Sequence, residues 1–297
     1  MLRGNVSLGY MGLGLMGWAM TERLLSAGYA TTVWNRSREK VVPAVKVGAA
    51  EARTPAEVAR AADVVFLCVT DHRAVEEIVF GQDGVVQGAS KDKILIDCST
   101  IKPEACRQMA KRLRDEAGMA WIDAPVTGGL VGARAGRLVV MAGGDEADIE
   151  RVRPIMAAVA QSFTYMGPQG AGLATKLCNQ VVVACNKVVL SEMLLLARAG
   201  GIDGKRLPEV LKGGSADSFQ MQREVPRMVE HDFEHPHGTA HTILKDLNII
   251  RDFAQQAGTA MPVTALVNEL FRLHIAGGNG GRDSTSIFEV LERQRKA

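Results

Sequence analysis

Lys176 sits in the segment Gly170-Ala-Gly172-Leu-Ala-Thr-Lys176-Leu-Cys-Asn179-Gln180. It precedes Asn179 and Gln180 by three and four residues, so on a helix the three share one face. Burying an unpaired ammonium is costly. Burial also lowers a lysine's pKa toward neutrality, where the amine can give or take a proton. Read alone, the same lysine could snorkel to solvent or pair with a carboxylate. A second segment, Asp123-Ala-Pro-Val-Thr127-Gly128-Gly129, follows an apolar run. Its hydroxyl and glycine N–H groups can hold a carboxylate, although taken singly it is equally a tight loop. A third, Leu244-Lys245-Asp246-Leu247, reads by itself as a charged turn of helix.

Nearer the start, Gly12-Leu13-Gly14-Leu15-Met16-Gly17 follows an apolar run and opens a helical pattern over 15–27. The three glycines have separate tasks: a tight turn, close approach of backbone to a pyrophosphate, and close packing of helix on strand. The helix N-terminus adds free N–H groups and the positive end of its dipole. A second run ends at Asn35-Arg36-Ser37, about twenty residues further on, where a dinucleotide site meets the ribose 2′ position. Asp or Glu there would accept from a 2′-hydroxyl. Asn35 instead removes the charge that repels a 2′-phosphate, while Arg36 supplies a cationic fork and Ser37 a hydroxyl. The sequence therefore predicts NADP as cofactor, with NAD possible. The plainer alternative makes Arg36 and Arg38 solvated charges and the site indifferent to the 2′ group.

Strand-like runs occur at Val6–Met11, Ala30–Trp34, Val64–Val69, Ile94–Asp97, Ala120–Asp123, Leu138–Met141 and Phe163–Met166. Several are continuously apolar, as in a sheet covered on both faces, and the helical segments between them make it mostly parallel. From Gly170 onward the pattern changes. An uninterrupted helix over 171–200, about 45 Å long, is followed only by helices and loops. The fold class is α/β: an N-terminal Rossmann dinucleotide-binding domain, 1–167, then an all-helical C-terminal substrate and oligomerisation domain, 168–297, entered through a long interdomain helix. No repeat of 20–50 residues is visible.

The chain has 297 residues, 47% hydrophobic and 23% charged, a globular composition that excludes disorder, collagen and coiled coil. Lys plus Arg (35) nearly balances Asp plus Glu (33), so charge points to neither nucleic acid nor membrane. Five scattered cysteines without a CxxC pair read as reduced thiols in a cytoplasmic protein. Arg3, Gly4 and Asn5 interrupt any signal-peptide apolar region. The most apolar stretch, 181–197, carries Asn186, Lys187, Ser191 and Glu192, which marks a buried helix and not a membrane span. His231, His235, His237 and His241 cluster with His-x-His spacing, which invites a metal. No HExxH accompanies them and hydride transfer needs no metal, so none is expected. This loop either shapes the substrate pocket or is a solvated connection.

In order and spacing, GLGLMG, DAPVTGG, GAGLATKLCNQ and KDL together resemble the β-hydroxyacid dehydrogenases, from Gly9 to about Leu291, and 281–288 is similar to that family's closing segment. The family includes 3-hydroxyisobutyrate dehydrogenase, tartronate semialdehyde (2-hydroxy-3-oxopropionate) reductase and the glyoxylate and succinic semialdehyde reductases. The resemblance implies hydride transfer between NADP(H) and a small β-hydroxy acid or its semialdehyde. It makes Lys176 the catalytic lysine, puts the substrate carboxylate on Thr127, Gly128 and Gly129, and has Asn179 and Gln180 orient the substrate. Gly12, Leu13, Gly14, Leu15, Met16, Asn35, Arg36, Ser37, Val69, Thr70, Thr100 and Lys245 fall at its cofactor contacts. It also implies a homodimer or homotetramer. Two positions depart from the family: Thr127 where Ser is common, and Gln180 where many members have a second Asn. The longer amide also occurs in the tartronate semialdehyde reductase branch. Imine reductases share the architecture but carry Asp or Tyr at the lysine position. A cofactor-binding relative without catalysis should lack Lys176.

Overall fold

The computed structural model describes residues 6–292, so the signal-peptide reading at Arg3–Asn5 lies outside the described residues. Among the described residues nine strands are present: β1 Leu8–Met11, β2 Thr31–Trp34, β3 Ala50–Glu51, β4 Val64–Leu67, β5 Ile94–Asp97, β6 Ala120–Asp123, β7 Val126–Thr127, β8 Leu138–Gly143 and β9 Ala160–Gly167. Between them run α1 Leu15–Ser26, α2 Val42–Lys46, α3 Pro55–Ala61, α4 His72–Phe80, α5 Pro103–Ala117, α6 Gly129–Arg134 and α7 Glu146–Met156. The long α8, Ala171–Ala199, follows, then α9 Leu207–Val210, α10 Phe219–Glu230, α11 Ala240–Gln256, α12 Pro262–His274 and α13 Phe288–Glu292.

Local chemistry sets the helix starts. Thr54 caps α3 by accepting from Glu57 N–H, with Pro55 in its first turn, and Asp71, Asp145, Ser218 and Thr239 cap α4, α7, α10 and α11 in the same way. Pro103 opens α5 and Gly118, at φ +70°, ends it in the left-handed conformation a glycine tolerates.

The sheet order is β3-β2-β1-β4-β5-β6-β8-β7, with β9 on β8. Strands β3 through β6 are parallel; β8 runs antiparallel to β6 and β7, and parallel to β9. The continuously apolar runs follow from burial on both faces. Leu8, Tyr10, Val64, Phe66, Ile94 and Ile96 enter one core, while Met11, Val65, Leu67 and Leu95 enter the other. Strand order reverses at β1, between β2 and β4, and ligands of such sheets bind at the carboxyl ends of the strands near that point.

The chain forms two compact units, Met1–Lys176 and Leu177–Ala297. The sequence places the division at 167/168; the units divide inside α8, because the first turns of that helix belong to the sheet's packing, with Leu173 fully buried in one of its cores. In the second unit, Ala184 and Val188 of α8 pack with Ile243 and Leu247 of α11 and Phe271 of α12. Leu190 and Leu194 pack with Met221, Val225 and Met228 of α10. By length and composition α8 could cross a membrane, but it contributes core side chains to both units and buries Lys187, which faces Glu224 of α10 at 3.3 Å.

Candidate active site

The first unit brings its predicted cofactor residues to the carboxyl ends of its parallel strands β1, β2, β4 and β5. Gly12 follows β1 with φ +92°, and a Cβ there would overlap the Cys68 carbonyl at the end of β4. A Cβ on Gly17 would overlap the Gly12 carbonyl, so the third glycine lets α1 lie on the turn. Gly14 differs. It precedes the first residue of α1, is exposed, and a Cβ there would meet no atom within 4 Å. The turn therefore has no spare space beneath it and open space above it, at a helix N-terminus. A pyrophosphate requires that combination. Leu15, 63% exposed, and the half-buried Met16 flank it on α1.

Asn35, after β2, makes a more specific contact than its lack of charge predicts. Its Oδ1 accepts Leu13 N–H at 2.8 Å, and its Nδ2 donates to the Ser37 carbonyl at 2.9 Å. One amide thus ties the glycine turn to the segment that follows β2. Arg36 is exposed and, among the described residues, has no ion pair. Arg38 pairs with Glu51 of β3 at 2.7 Å. After β4 and β5, Val69 N–H donates to Ser99 Oγ at 2.9 Å and Ser99 N–H donates to Asp97 Oδ1 at 2.9 Å. These bonds bring Val69 and Thr70 beside the Ser99-Thr100 loop.

Thr127 lies on the two-residue β7, opposite Val139 of β8, and Gly128 and Gly129 follow with φ +119° and +64°. Two successive left-handed residues suit glycine and reverse the chain into α6. Lys176, 7% exposed, lies on α8 in the second turn after the helix begins.

The remaining predicted residues belong to the second unit and are brought together there. Asn179 Nδ2 donates to Gln180 Oε1 at 2.8 Å, Gln180 Nε2 donates to Asp246 Oδ2 at 2.5 Å, and Lys245 Nζ pairs with Asp246 Oδ1 at 3.1 Å. Asp246, 3% exposed, is the residue that sequence reasoning missed. The sequence offers only a Lys-Asp pair beside the apolar Ile243 and Leu247, which does not say that the carboxylate is buried.

The backbone of the histidine-rich loop is held by Arg227 and Asp283, and two of its imidazoles face carboxylates. Arg227 donates to the carbonyls of Asp232 and His235, and His237 N–H donates to Asp283 Oδ2 at 2.7 Å. His231 faces Glu292, and His235 is exposed beside Asp232. Among the described residues no three His, Cys, Asp or Glu side chains group as metal ligands.

Two family models cover nearly the whole chain. The NAD binding domain of 6-phosphogluconate dehydrogenase matches residues 7–167, and the region described as NAD-binding of NADP-dependent 3-hydroxyisobutyrate dehydrogenase matches 170–291. The 2-hydroxy-3-oxopropionate reductase of Escherichia coli (strain K12) is 35% identical over 290 residues, 97% of this chain and 97% of its own length. The chain belongs to the β-hydroxyacid dehydrogenase family. Solved structures agree on the fold of this dehydrogenase. The 3-hydroxyisobutyrate dehydrogenase of Mycobacterium tuberculosis, described with L-serine, superposes with a TM-score of 0.85 at 26% identity, covering 96% of this chain and 99% of its own. Psf3 in complex with NADP+ and 2-OPP gives 0.88 at 26% identity, over 96% and 99%. The protein is an NAD(P)-dependent oxidoreductase of the hydroxy-acid dehydrogenase class.

Proposed function

We propose that this dehydrogenase uses NADP(H) to interconvert a small carboxylate-bearing β-hydroxy acid and its semialdehyde, with Lys176 as the proton-transferring residue. The observation that carries the reading is a buried lysine in the second turn of α8, followed three and four residues later by the fixed amides of Asn179 and Gln180. The nicotinamide supplies or takes the hydride when bound. The Gly12–Gly17 turn would hold the pyrophosphate, Asn35, Arg36 and Ser37 the adenosine 2′-phosphate, and Val69, Thr70, Thr100 and Lys245 further parts of the cofactor. Thr127 Oγ and the Gly128 and Gly129 N–H groups would bind the substrate carboxylate. In reduction Lys176 Nζ donates a proton to the developing alkoxide oxygen, and in oxidation it accepts that proton.

The relative from Escherichia coli makes tartronate semialdehyde the first substrate to try, and Gln180 fits that choice. Methylmalonate semialdehyde, succinic semialdehyde and glyoxylate follow. All five cysteines are free, which supports a reducing, cytoplasmic setting. Val182, Val189 and Leu196 leave an exposed apolar stripe along α8, repeated every seven residues, and Val263, Leu266 and Leu273 leave another on α12. Both support a homo-oligomer. Light scattering of the purified protein reads its mass directly.

The test of the chemistry is NADPH and NADH oxidation against these aldehydes, with Lys176→Ala run beside the parent. We expect turnover with NADPH and a kcat loss of at least about 100-fold in the variant with NADPH binding kept. Near-parental turnover in Lys176→Ala would remove the catalytic assignment. Equal kcat/KM for the two cofactors would remove the NADP preference.

A further inference from the structure

Asp123 ends β6, and its side chain holds the start of the helix that carries Lys176. Oδ1 accepts Gly170 N–H at 2.8 Å and Gln169 Nε2 at 3.0 Å, and Oδ2 accepts Leu173 N–H at 2.9 Å. The first N–H groups of a helix have no partner within it. Most caps in this protein come from the residue just before the helix, whereas this one comes from 47 and 50 positions away. The contact is also tight. A Cβ on Gly143 of β8 would lie 2.7 Å from both Asp123 Oδ1 and Gly172 N, and a Cβ on Gly172 would overlap the Met141 carbonyl. The first turn of α8 therefore abuts the ends of β6 and β8 with no room to slide, and Lys176 is three residues beyond Leu173.

We propose that Asp123 is a positioning residue for proton transfer: its carboxylate clamps the first turn of α8 and so sets where Lys176 stands, without itself touching substrate. The inference rests on the assignment of Lys176 as the catalytic lysine. The carboxylate is retained in spite of its surroundings. Burial pushes its pKa up to about 6, against the amides of Gly170 and Leu173 that pull it down. A neutral cap would avoid that opposition, but one carboxylate accepts from both ends of the turn at once. The charged and titratable groups around it are few. Asp97 is its register partner on β5, Cys106 of α5 has a thiol that burial pushes up, and Arg107 of α5 lies against Gly170 while paired with Glu104. β8 presents Gly143, which does not titrate.

The experiment compares the parent with Asp123→Asn, Gln169→Ala and Lys176→Ala in steady-state NADPH-dependent turnover from pH 5 to 9. It adds NADPH binding by fluorescence and hydrogen exchange of the Gly170 and Leu173 amides. We expect Asp123→Asn to lower kcat about 10- to 100-fold, as a displacement near 1 Å does, with KM and the NADPH Kd changed less than about threefold. The two amides should exchange faster, and the parent's acid limb near pH 6 should vanish. Gln169→Ala removes a donor to the ionised form, so it should move that limb to higher pH. This decides the matter if Asp123→Asn does not fold. Parental kcat with an unchanged acid limb in Asp123→Asn, or an unmoved limb in Gln169→Ala, would overturn the clamp while Lys176→Ala stays inactive. Loss of NADPH affinity in step with kcat would reduce Asp123 to general structural support. Turnover retained by Lys176→Ala fells the catalytic reading itself, and the positioning role with it.

Discussion

Gln180 Nε2 donates to Asp246 Oδ2 at 2.5 Å and links α8 to α11 across 66 residues of sequence. The bond fixes which way the Gln180 amide faces, so its carbonyl is turned to accept from Asn179. A shorter amide cannot span the same gap from the same backbone. Gln180→Asn should therefore raise KM for the carboxylate substrate about tenfold while leaving NADPH affinity intact. It should also lower stability by about 1–3 kcal/mol, because a buried carboxylate loses one of its donors. Urea denaturation and substrate KM check the two halves separately, and an unchanged midpoint would show that Asp246 relies on Lys245 alone.

The glycines of the first turn should separate folding from binding. At Gly17 an added methyl meets backbone, and at Gly14 it meets nothing. Gly17→Ala should cost more than about 2 kcal/mol, since overpacking against backbone is poorly relieved. Gly14→Ala should keep the parental unfolding temperature and weaken NADPH binding tenfold or more. Thermal unfolding with and without NADPH distinguishes them. A Gly14→Ala protein that binds normally would place the pyrophosphate elsewhere.

Lys187 and Glu224 form a buried pair at 3.3 Å in the second unit, with Arg223 also on Glu224. Burial pushes the Lys187 ammonium down, which Glu224 partly offsets. Burial pushes Glu224 up, but Lys187 and Arg223 outweigh it and leave that carboxyl below its usual value. Lys187→Ala leaves the buried Glu224 with Arg223 as its remaining cation and should destabilise by about 3 kcal/mol, the low end for a broken buried pair. Replacing both partners, Lys187→Met with Glu224→Leu, should recover most of that loss. A double variant no better than the single one would mean that the pair stabilises more than an apolar contact of equal volume.

Stability should vary with pH through Asp123. Its folded pKa of about 6 lies above the ordinary 3.8, so between those values the folded chain holds a proton that the unfolded chain releases. The contribution therefore favours folding below pH 4 and is lost as pH rises toward 6, a swing of about 3 kcal/mol. Asp123→Asn cannot titrate. The stability of the parent relative to Asp123→Asn should fall by roughly that amount between pH 4 and 6.5 and stay flat above. A flat difference across the whole range would place the carboxyl near its ordinary pKa.

Elements whose own residues carried the signal were legible in sequence. Ile94–Asp97 and Ala120–Asp123 are strands with those bounds, the long helix spans Ala171–Ala199, and no strand follows it among the described residues. The two-residue strands Ala50–Glu51 and Val126–Thr127 were not legible, because a pair of residues has no periodicity and only a partner strand defines them. Phe163–Met166 proved to be the end of Ala160–Gly167, whose edge position lets Gln161 and Thr164 face solvent. The antiparallel placement of β8 within a mostly parallel sheet is set by tertiary contact. In the candidate site, Lys176 and the glycine turn were visible by type and spacing. Asp246 was not, since the sequence pattern Lys-Asp reads the same whether its carboxylate is solvated or buried under Gln180. Asp123 was visible only as the first letter of a loop motif, because its partners lie in a segment 47 residues on.

The Asn35 amide holds Leu13 with its oxygen and Ser37 with its nitrogen. An aspartate in its place would keep the first contact and set a carboxylate oxygen against the Ser37 carbonyl. A change of charge at this position, the one that would act on the proposed 2′-phosphate contact, is thus coupled to the integrity of the glycine turn beside it. An exchange of charge here would therefore need a compensating change on the Ser37 side.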